Sequence, residues 1–381
     1  MAGSFVIPVP RASGRSPPQP GGLEPSLITA LAIASGRTVA QIFHPGHWYF
    51  AAGDNPLPAS FFNESNLVGA KMMFRWRWIE RDTPSVYDWT LPDARMAECQ
   101  ANGKFMSITI QKEKFGGDPP NTPDYMWTDS SFGGDSTFYG NVAKLSQPGW
   151  RAYLENSNVL TAYEAFETAV MNRYGSNPWF EGIVDGESSL DQPDSFGAPA
   201  GTLEAAMKSY YINGRDISTV HGKYYMVYVN FTHWDAEPGQ NRRETHCNWA
   251  IDNGMGLGAP DLKEGNGFLN NGVFKVGRER NAEVPVAIDV QWADYDPNQN
   301  TDKNVREILA FGNGEVFGSV SASDVLDSPH NWIQCWENRS PWYAGNPTSP
   351  KSGDNVLEVV AAEPVTNAEA FYDSIGQGQY G

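Results

Sequence analysis

The stretch Asn177-Pro178-Trp179-Phe180-Glu181-Gly182-Ile183-Val184-Asp185-Gly186-Glu187-Ser188 carries the fold decision for this chain. A short apolar run, Phe180 to Val184, breaks off into carboxylates and glycine directly after a long helix-like segment that closes at Arg173-Tyr174-Gly175. Short apolar runs bounded by turn signals read as strands buried on both faces, the pattern of parallel sheets. A carboxylate at the end of such a strand lies where α/β barrels carry their reactive groups. Glu187 is therefore the first candidate functional residue.

The same alternation extends in both directions. Strands are expected at Val39–Phe43, Val68–Trp78, Lys104–Ile110, 180–187, Tyr224–Phe231, Gly254–Gly258, Val284–Gln291 and Asn331–Trp336. Helices are expected at about 91–102, 149–174, 202–220, 243–252 and 302–312, with Gly103 stopping the first of these. Eight short strands alternating with helices point to an α/β fold, a (β/α)8 TIM barrel with long βα loops, of which 112–148 is the longest. Residues 1–37, rich in Pro and Gly up to position 22, read as a flexible N-terminal leader, 38–345 as the barrel, and 346–381 as a C-terminal extension.

Composition limits the function. The 381 residues carry 27 basic and 45 acidic side chains, a formal charge of −18. That surface repels nucleic acid and anionic membrane, so neither is an expected partner. No apolar run approaches the roughly 20 residues that span a bilayer. Leu27 to Ala34, following Arg11 and Arg15, faintly resembles a signal peptide and suggests an extracellular or periplasmic location. Cys99, Cys247 and Cys335 are odd in number and lack CxxC spacing, which argues for separate buried thiols. Aromatic residues make up 13%, with 13 Trp and 16 Tyr. Flat rings beside carboxylates suit a carbohydrate cleft, where rings stack on sugar C–H faces and carboxylates bind hydroxyls.

Three further segments carry a family likeness. Phe74-Arg75-Trp76-Arg77-Trp78-Ile79-Glu80 followed by Tyr87-Asp88-Trp89 and Leu91-Pro92-Asp93 resembles the second-strand region of retaining (β/α)8-barrel glycoside hydrolases. Gly103-Lys104-Phe105-Met106-Ser107-Ile108 is similar to their third strand, and Arg173-Tyr174-Gly175 with Asn177 to Ile183 to their fourth. The likeness spans about 39–340. It implies a glycoside hydrolase acting on a poly- or oligosaccharide without a cofactor, with Glu187 as general acid/base. Two positions depart from the pattern. Gly186 stands where these enzymes carry Asn, and the seventh strand ends Asp289-Val290-Gln291-Trp292-Ala293-Asp294 where they carry the nucleophilic Glu.

Glycosidic cleavage uses two carboxyl groups, about 5 Å apart for retention and roughly 6.5–9.5 Å for inversion. Candidates for the second are Asp261 after strand six, Glu337 after strand eight, Asp289 one pleat below Gln291, and Asp294. Arg75 and Arg77 alternate with tryptophans, and an inward Arg near two carboxylates would keep one ionised. His44, Gln111, His233 and Gln291 fall at expected strand ends and suit sugar hydroxyls. Trp78, Trp234, Trp292 and Trp336 suit stacking. His44 and His47 lack a third ligand for zinc, so no metal is expected. Asp294 to Asp302 alternates oxygen ligands but lacks the glycine and glutamate of an EF-hand loop. Asn63, Asn230 and Asn338 begin short glycosylation-type triplets. A non-catalytic carbohydrate-binding barrel, or a structural or virion surface protein on the same scaffold, would use the same fold without the second carboxylate.

Overall fold

The computed structural model describes residues 27–37, 42–44, 46–65, 67–115, 120–133, 138–139, 149–188, 201–230, 234–260, 271–280, 283–290 and 332–337. Eight parallel strands close into a barrel: β1 (Gly46–Ala52), β2 (Leu67–Arg75), β3 (Phe105–Gln111), β4 (Phe180–Asp185), β5 (Tyr224–Tyr228), β6 (Gly256–Ala259), β7 (Val286–Val290) and β8 (Trp332–Glu337). They pair in chain order, and β8 closes on β1 with Phe50 opposite Glu337. Among the described residues the longer helices are α1 (Leu27–Ser35), α2 (Thr90–Ala101), α3 (Ser157–Tyr174), α4 (Thr202–Val220), α5 (Arg242–Asp252) and α6 (Gly272–Arg280). The expected (β/α)8 architecture is the one observed.

Each helix forms for local reasons and is held by one apolar stripe. In α4 the buried positions Leu203, Met207, Tyr210, Tyr211 and Gly214 recur every three or four residues, the spacing that keeps one helix face toward the sheet. At the start of α3, Asn156 Oδ1 accepts from the Asn158 amide, satisfying one orphan donor. Outward strand residues such as Met72, Ile108, Ile183 and Tyr225 pack against Tyr163, Phe166, Tyr210 and Tyr211 in the main core. Inside the barrel, Trp48, Val184, Tyr224, Met226 and Ala287 form a second cluster.

A bulge in β4 separates these two faces. Phe180 pairs with Met106 but Gly182 pairs with Ser107, so two β4 residues are spanned by one step of β3. Gly182 has φ +156°, and a Cβ there would lie 2.7 Å from the Tyr224 carbonyl oxygen. Only glycine fits. Beyond the bulge, Ile183 and Asp185 face the helices and Val184 faces the interior.

Several expectations are corrected. The first strand is Gly46–Ala52 and not Val39–Phe43; Ile42 and Phe43 instead pack beneath the barrel with Leu31 and Ala32. The segment 27–35, expected within a leader, is helix α1 and joins that cluster, with the Leu27 amide donating to the Glu283 carbonyl. The second strand stops at Arg75, and Trp76–Ile79 turns into a short helix, so Arg75 and Arg77 do not alternate along one strand. The third helix begins at Ser157, after Gly149–Trp150 pairs antiparallel with Lys114–Phe115 and Phe138–Tyr139. Cys99 and Cys247 are free and buried. The expected helix at 302–312 and the extension at 346–381 lie outside the described residues.

Gly182→Ala is expected to destabilise the chain by about 1–3 kcal/mol, through strained φ and the Tyr224 contact. Chemical denaturation of the two proteins checks this, and an unchanged midpoint would contradict the bulge geometry.

Candidate active site

The exit of β4 is pinned from the helix side. Asp185 is fully buried, and its Oδ1 accepts from Lys112 Nζ at 2.7 Å and from Tyr163 OH at 3.0 Å. Its Oδ2 accepts from Tyr210 OH at 2.9 Å. Burial works against the Lys112 charge, but the Asp185 and Glu113 carboxyls outweigh it and hold the ammonium's pKa above its ordinary range. Glu167, on α3, accepts from Tyr225 OH at 2.7 Å. Burial, reinforced by Asp185, drives the Glu167 pKa well upward, which favours its protonated form.

Glu113 follows β3 and is buried against the same exit. Its Oε2 has no hydrogen-bond partner among the described residues and would lie 3.5 Å from a Cβ on Gly186. The Ile110 carbonyl would lie only 2.5 Å from that Cβ, so the chain must carry glycine at this position. Burial pushes the Glu113 carboxyl up to about 7, with Lys112 partly opposing it. Neither Lys112 nor Glu113 stood out in the sequence, because a charged pair just past a strand reads as solvated loop.

Glu187 leaves this anchored turn half-buried at the mouth. Its Oε1 accepts from Asn230 Nδ2, on the exit of β5. Two backbone links hold the turns together. The Ser188 amide donates to the Tyr228 carbonyl at 3.1 Å, and the Asn230 amide donates to Ser188 Oγ at 3.1 Å. Arg243 Nε, on α5, donates to the Asn230 carbonyl at 2.5 Å.

One layer inside the barrel lies a second carboxyl group. Asp289 Oδ2 accepts from Lys71 Nζ at 2.6 Å and from Tyr228 OH at 2.7 Å. The Lys71 ammonium sits 4.3 Å from the Tyr228 ring centre and 4.9 Å from that of Phe50, within cation–π range. Asp289 Oδ1 is buried with no hydrogen-bond partner among the described residues. Strand β5 thus ends in Tyr228, which touches Asp289, and its exit carries Asn230, two residues further out, which touches Glu187.

The remaining candidates fall in different places. Arg75 and Gln111 face each other in register at the ends of β2 and β3, and Arg75 lies over Trp78 at 4.6 Å. Glu337 and Trp336 are the last residues of β8, in register with Phe50 and Tyr49. His44 is at the opposite end of the barrel. It precedes β1, stacks on Phe105 at 3.5 Å, and binds Glu181 through Nδ1 at 2.6 Å, so the corrected first strand takes it away from the mouth. Trp234 is buried against His246 at 3.7 Å in the helical layer, where it packs as core. Asp261, His233, Gln291, Trp292 and Asp294 lie outside the described residues. Trp127 and Trp150, stacked at 5.6 Å in the excursion after β3, are mouth-side aromatics that the sequence reading passed over. Among the described residues no group of three His, Cys, Asp or Glu is placed to hold a metal ion, and no helix is long and apolar enough to cross a membrane.

No protein-family model and no curated protein matches the chain. Solved structures do resemble it. The catalytic domain of beta-amylase from Paenibacillus polymyxa superposes with a TM-score of 0.54 at 9% identity, covering 86% of this chain and 99% of that one. A cold-adapted beta-galactosidase from Rahnella sp. R3 gives 0.52 at 8% identity, over 84% of this chain and 56% of that one. The beta-galactosidase of the psychrophilic Marinomonas ef1 gives 0.49 at 10% identity, with this chain spanning 60% of its length. At such identities the likeness establishes the barrel fold and leaves the choice of reacting residues to the site itself.

Glu113 makes the turn pH-sensitive in a defined direction. Its pKa is higher folded than unfolded, so its contribution to stability is complete below the ordinary value of 4.5 and lost as pH rises to about 7. That shift corresponds to roughly 3 kcal/mol. Glu113→Gln, neutral at every pH, should therefore match wild type at acid pH and become steadily more stable than it as pH rises to about 7. Denaturation curves at closely spaced pH values check it; a difference independent of pH would contradict the assignment.

Proposed function

We propose that the chain is a glycoside hydrolase of the (β/α)8 type acting on a poly- or oligosaccharide, with Glu187 as general acid/base. The observation that carries this reading is the placement of Glu187: beyond the carboxyl end of β4, on an anchored turn, and held by Asn230. The long excursion after β3 supplies Trp127 and Trp150, with Trp78 beside β2, as flat surfaces for sugar rings.

Asp289 is the second-carboxyl candidate whose side chain is described: it faces the barrel interior from β7, with one oxygen anchored and the other unengaged among the described residues. In this reading Glu187 donates a proton to the leaving glycosidic oxygen as the bond to the anomeric carbon breaks. Asp289 either attacks that carbon or takes the proton of the water that does. Lys71 and Tyr228 fix the Asp289 carboxyl and so limit the reorganisation it needs. Bond cleavage itself requires no cofactor.

A second reading is a non-catalytic carbohydrate-binding barrel. The Asp289–Lys71 ion pair favours it, since a carboxyl committed to a buried lysine can serve structure alone.

Reducing-end release from a panel of polysaccharides and aryl glycosides separates the two. The hydrolase reading expects release by wild type and a loss of about 10²–10⁴-fold in Glu187→Gln, with an unchanged circular dichroism spectrum. Sugar binding equal in both proteins, with no release by either, would overturn it in favour of the binding barrel.

A further inference from the structure

The outer wall of the barrel carries a groove between α2 and α3, lined by none of the residues at the β4 exit, with a volume of about 760 Å³. That size lies in the range of small-molecule sites. Two polar cross-links tie its walls together. Near the start of α2, Arg173 reaches across to Asp93 through Nε at 2.8 Å and through Nη2, and Tyr174 OH adds a bond to Asp93 at 2.7 Å. Near the end of α2, Asn177 Nδ2 donates to Gln100 Oε1 at 3.4 Å. Walls bridged at both ends keep the groove formed without a ligand.

Its lining specifies a chemistry. Tyr87 and Trp89 contribute half-buried rings 5.3 Å apart, and the Arg173 guanidinium lies 5.4 Å from the Trp89 ring centre. Gln100, Asn172 and Asn177 contribute amides, while Met96, Ala97 and Ala169 give a shallow apolar floor. Among the described residues lining it, Asp93 and Arg173 are the only charged side chains, and they neutralise each other. On a chain with a formal charge of −18, a locally neutral groove does not select an anion, and it has no cationic excess to attract one. The floor offers no deep pocket for a peptide's apolar anchor. Aromatic edges, the Asn172 amide beside the cross-linked Gln100 and Asn177, and a flat apolar floor match a ligand with apolar faces and a belt of hydroxyls.

We infer that the groove between α2 and α3 is a second carbohydrate site, one that holds a neutral oligosaccharide along the barrel wall without acting on it. Its existence does not depend on the catalytic reading of Glu187. A chain anchored there would raise the local concentration of the same polymer at the mouth.

The test is calorimetric titration of the full chain carrying Glu187→Gln with cellohexaose, maltohexaose, xylohexaose and mannohexaose. The comparison variant adds Ala97→Trp, which fills the groove from an exposed position of α2 and removes no core contact. At least one hexasaccharide should bind, and Ala97→Trp should remove that component or weaken it about ten-fold or more. Ala97→Trp on its own should leave turnover of a small aryl glycoside unchanged. Trp89→Ala should weaken the same component, with its melting temperature recorded to separate binding from folding. Identical titrations with and without Ala97→Trp, or no binding of any of these sugars at about 10 mM, would overturn the inference. Groove binding in a chain that releases no reducing ends leaves this site standing and removes only the hydrolase reading.

Discussion

The buried Lys112–Asp185 ion pair is the constraint on which the mouth of the barrel depends. It joins the exit of β3 to the exit of β4, and through Tyr163 and Tyr210 it joins both to α3 and α4. Removing two charges from water is costly, and the cost is offset only where geometry and extra hydrogen bonds are good. Here the two phenols supply those bonds. Losing one partner alone would strand the other charge and cost about 3–5 kcal/mol. Gly186 and Glu187 follow Asp185 directly, so the direction in which Glu187 leaves the strand is set by this buried pair.

The bulge at Gly182 lets one short strand serve three environments. Glu181, before the bulge, is buried near the amino end of the barrel, where His44 and Tyr224 OH bind its carboxyl. The pull of His44 and the accompanying hydrogen bonds outweigh burial and hold the Glu181 pKa below its ordinary value. Asp185 points into the helical layer, and Glu187 reaches the mouth. The polar groups at the amino end, sealed beneath by α1 and by Ile42 and Phe43, stabilise the closed barrel. Those at the carboxyl end remain available for chemistry, the division typical of these folds.

Much of the fold was legible because its signals are local. Helix α4 was read with its observed bounds, Thr202–Val220, since its apolar stripe repeats at helical spacing. Strands β2 to β8 were each located by short apolar runs between turn residues. The first strand was not, because Val39–Phe43 is as apolar as a strand, and nothing local marks Ile42 and Phe43 as a plug under the barrel floor. Within the candidate site, Glu187 and Asp289 could be picked out by their places near strand ends, and the residues that hold them could not. Glu187 shows itself as a carboxylate beyond a strand. Its support is invisible locally: Lys112 meets Asp185 from 73 positions away, and Lys71 meets Asp289 from 218. Trp234 was misread for a related reason, since an aromatic residue after a strand packs equally well against a helix as against a ligand.

The central claim is that Glu187 supplies a proton to a leaving oxygen, and leaving-group dependence addresses it most directly. The kcat/KM of wild type and Glu187→Gln should be compared on glycosides of one sugar, one with a dinitrophenyl leaving group that departs without a proton and one with an alkyl leaving group that cannot. The account predicts a small loss for the first and a loss of about 10²–10⁴-fold for the second. Equal losses on both, or none on either, would contradict it.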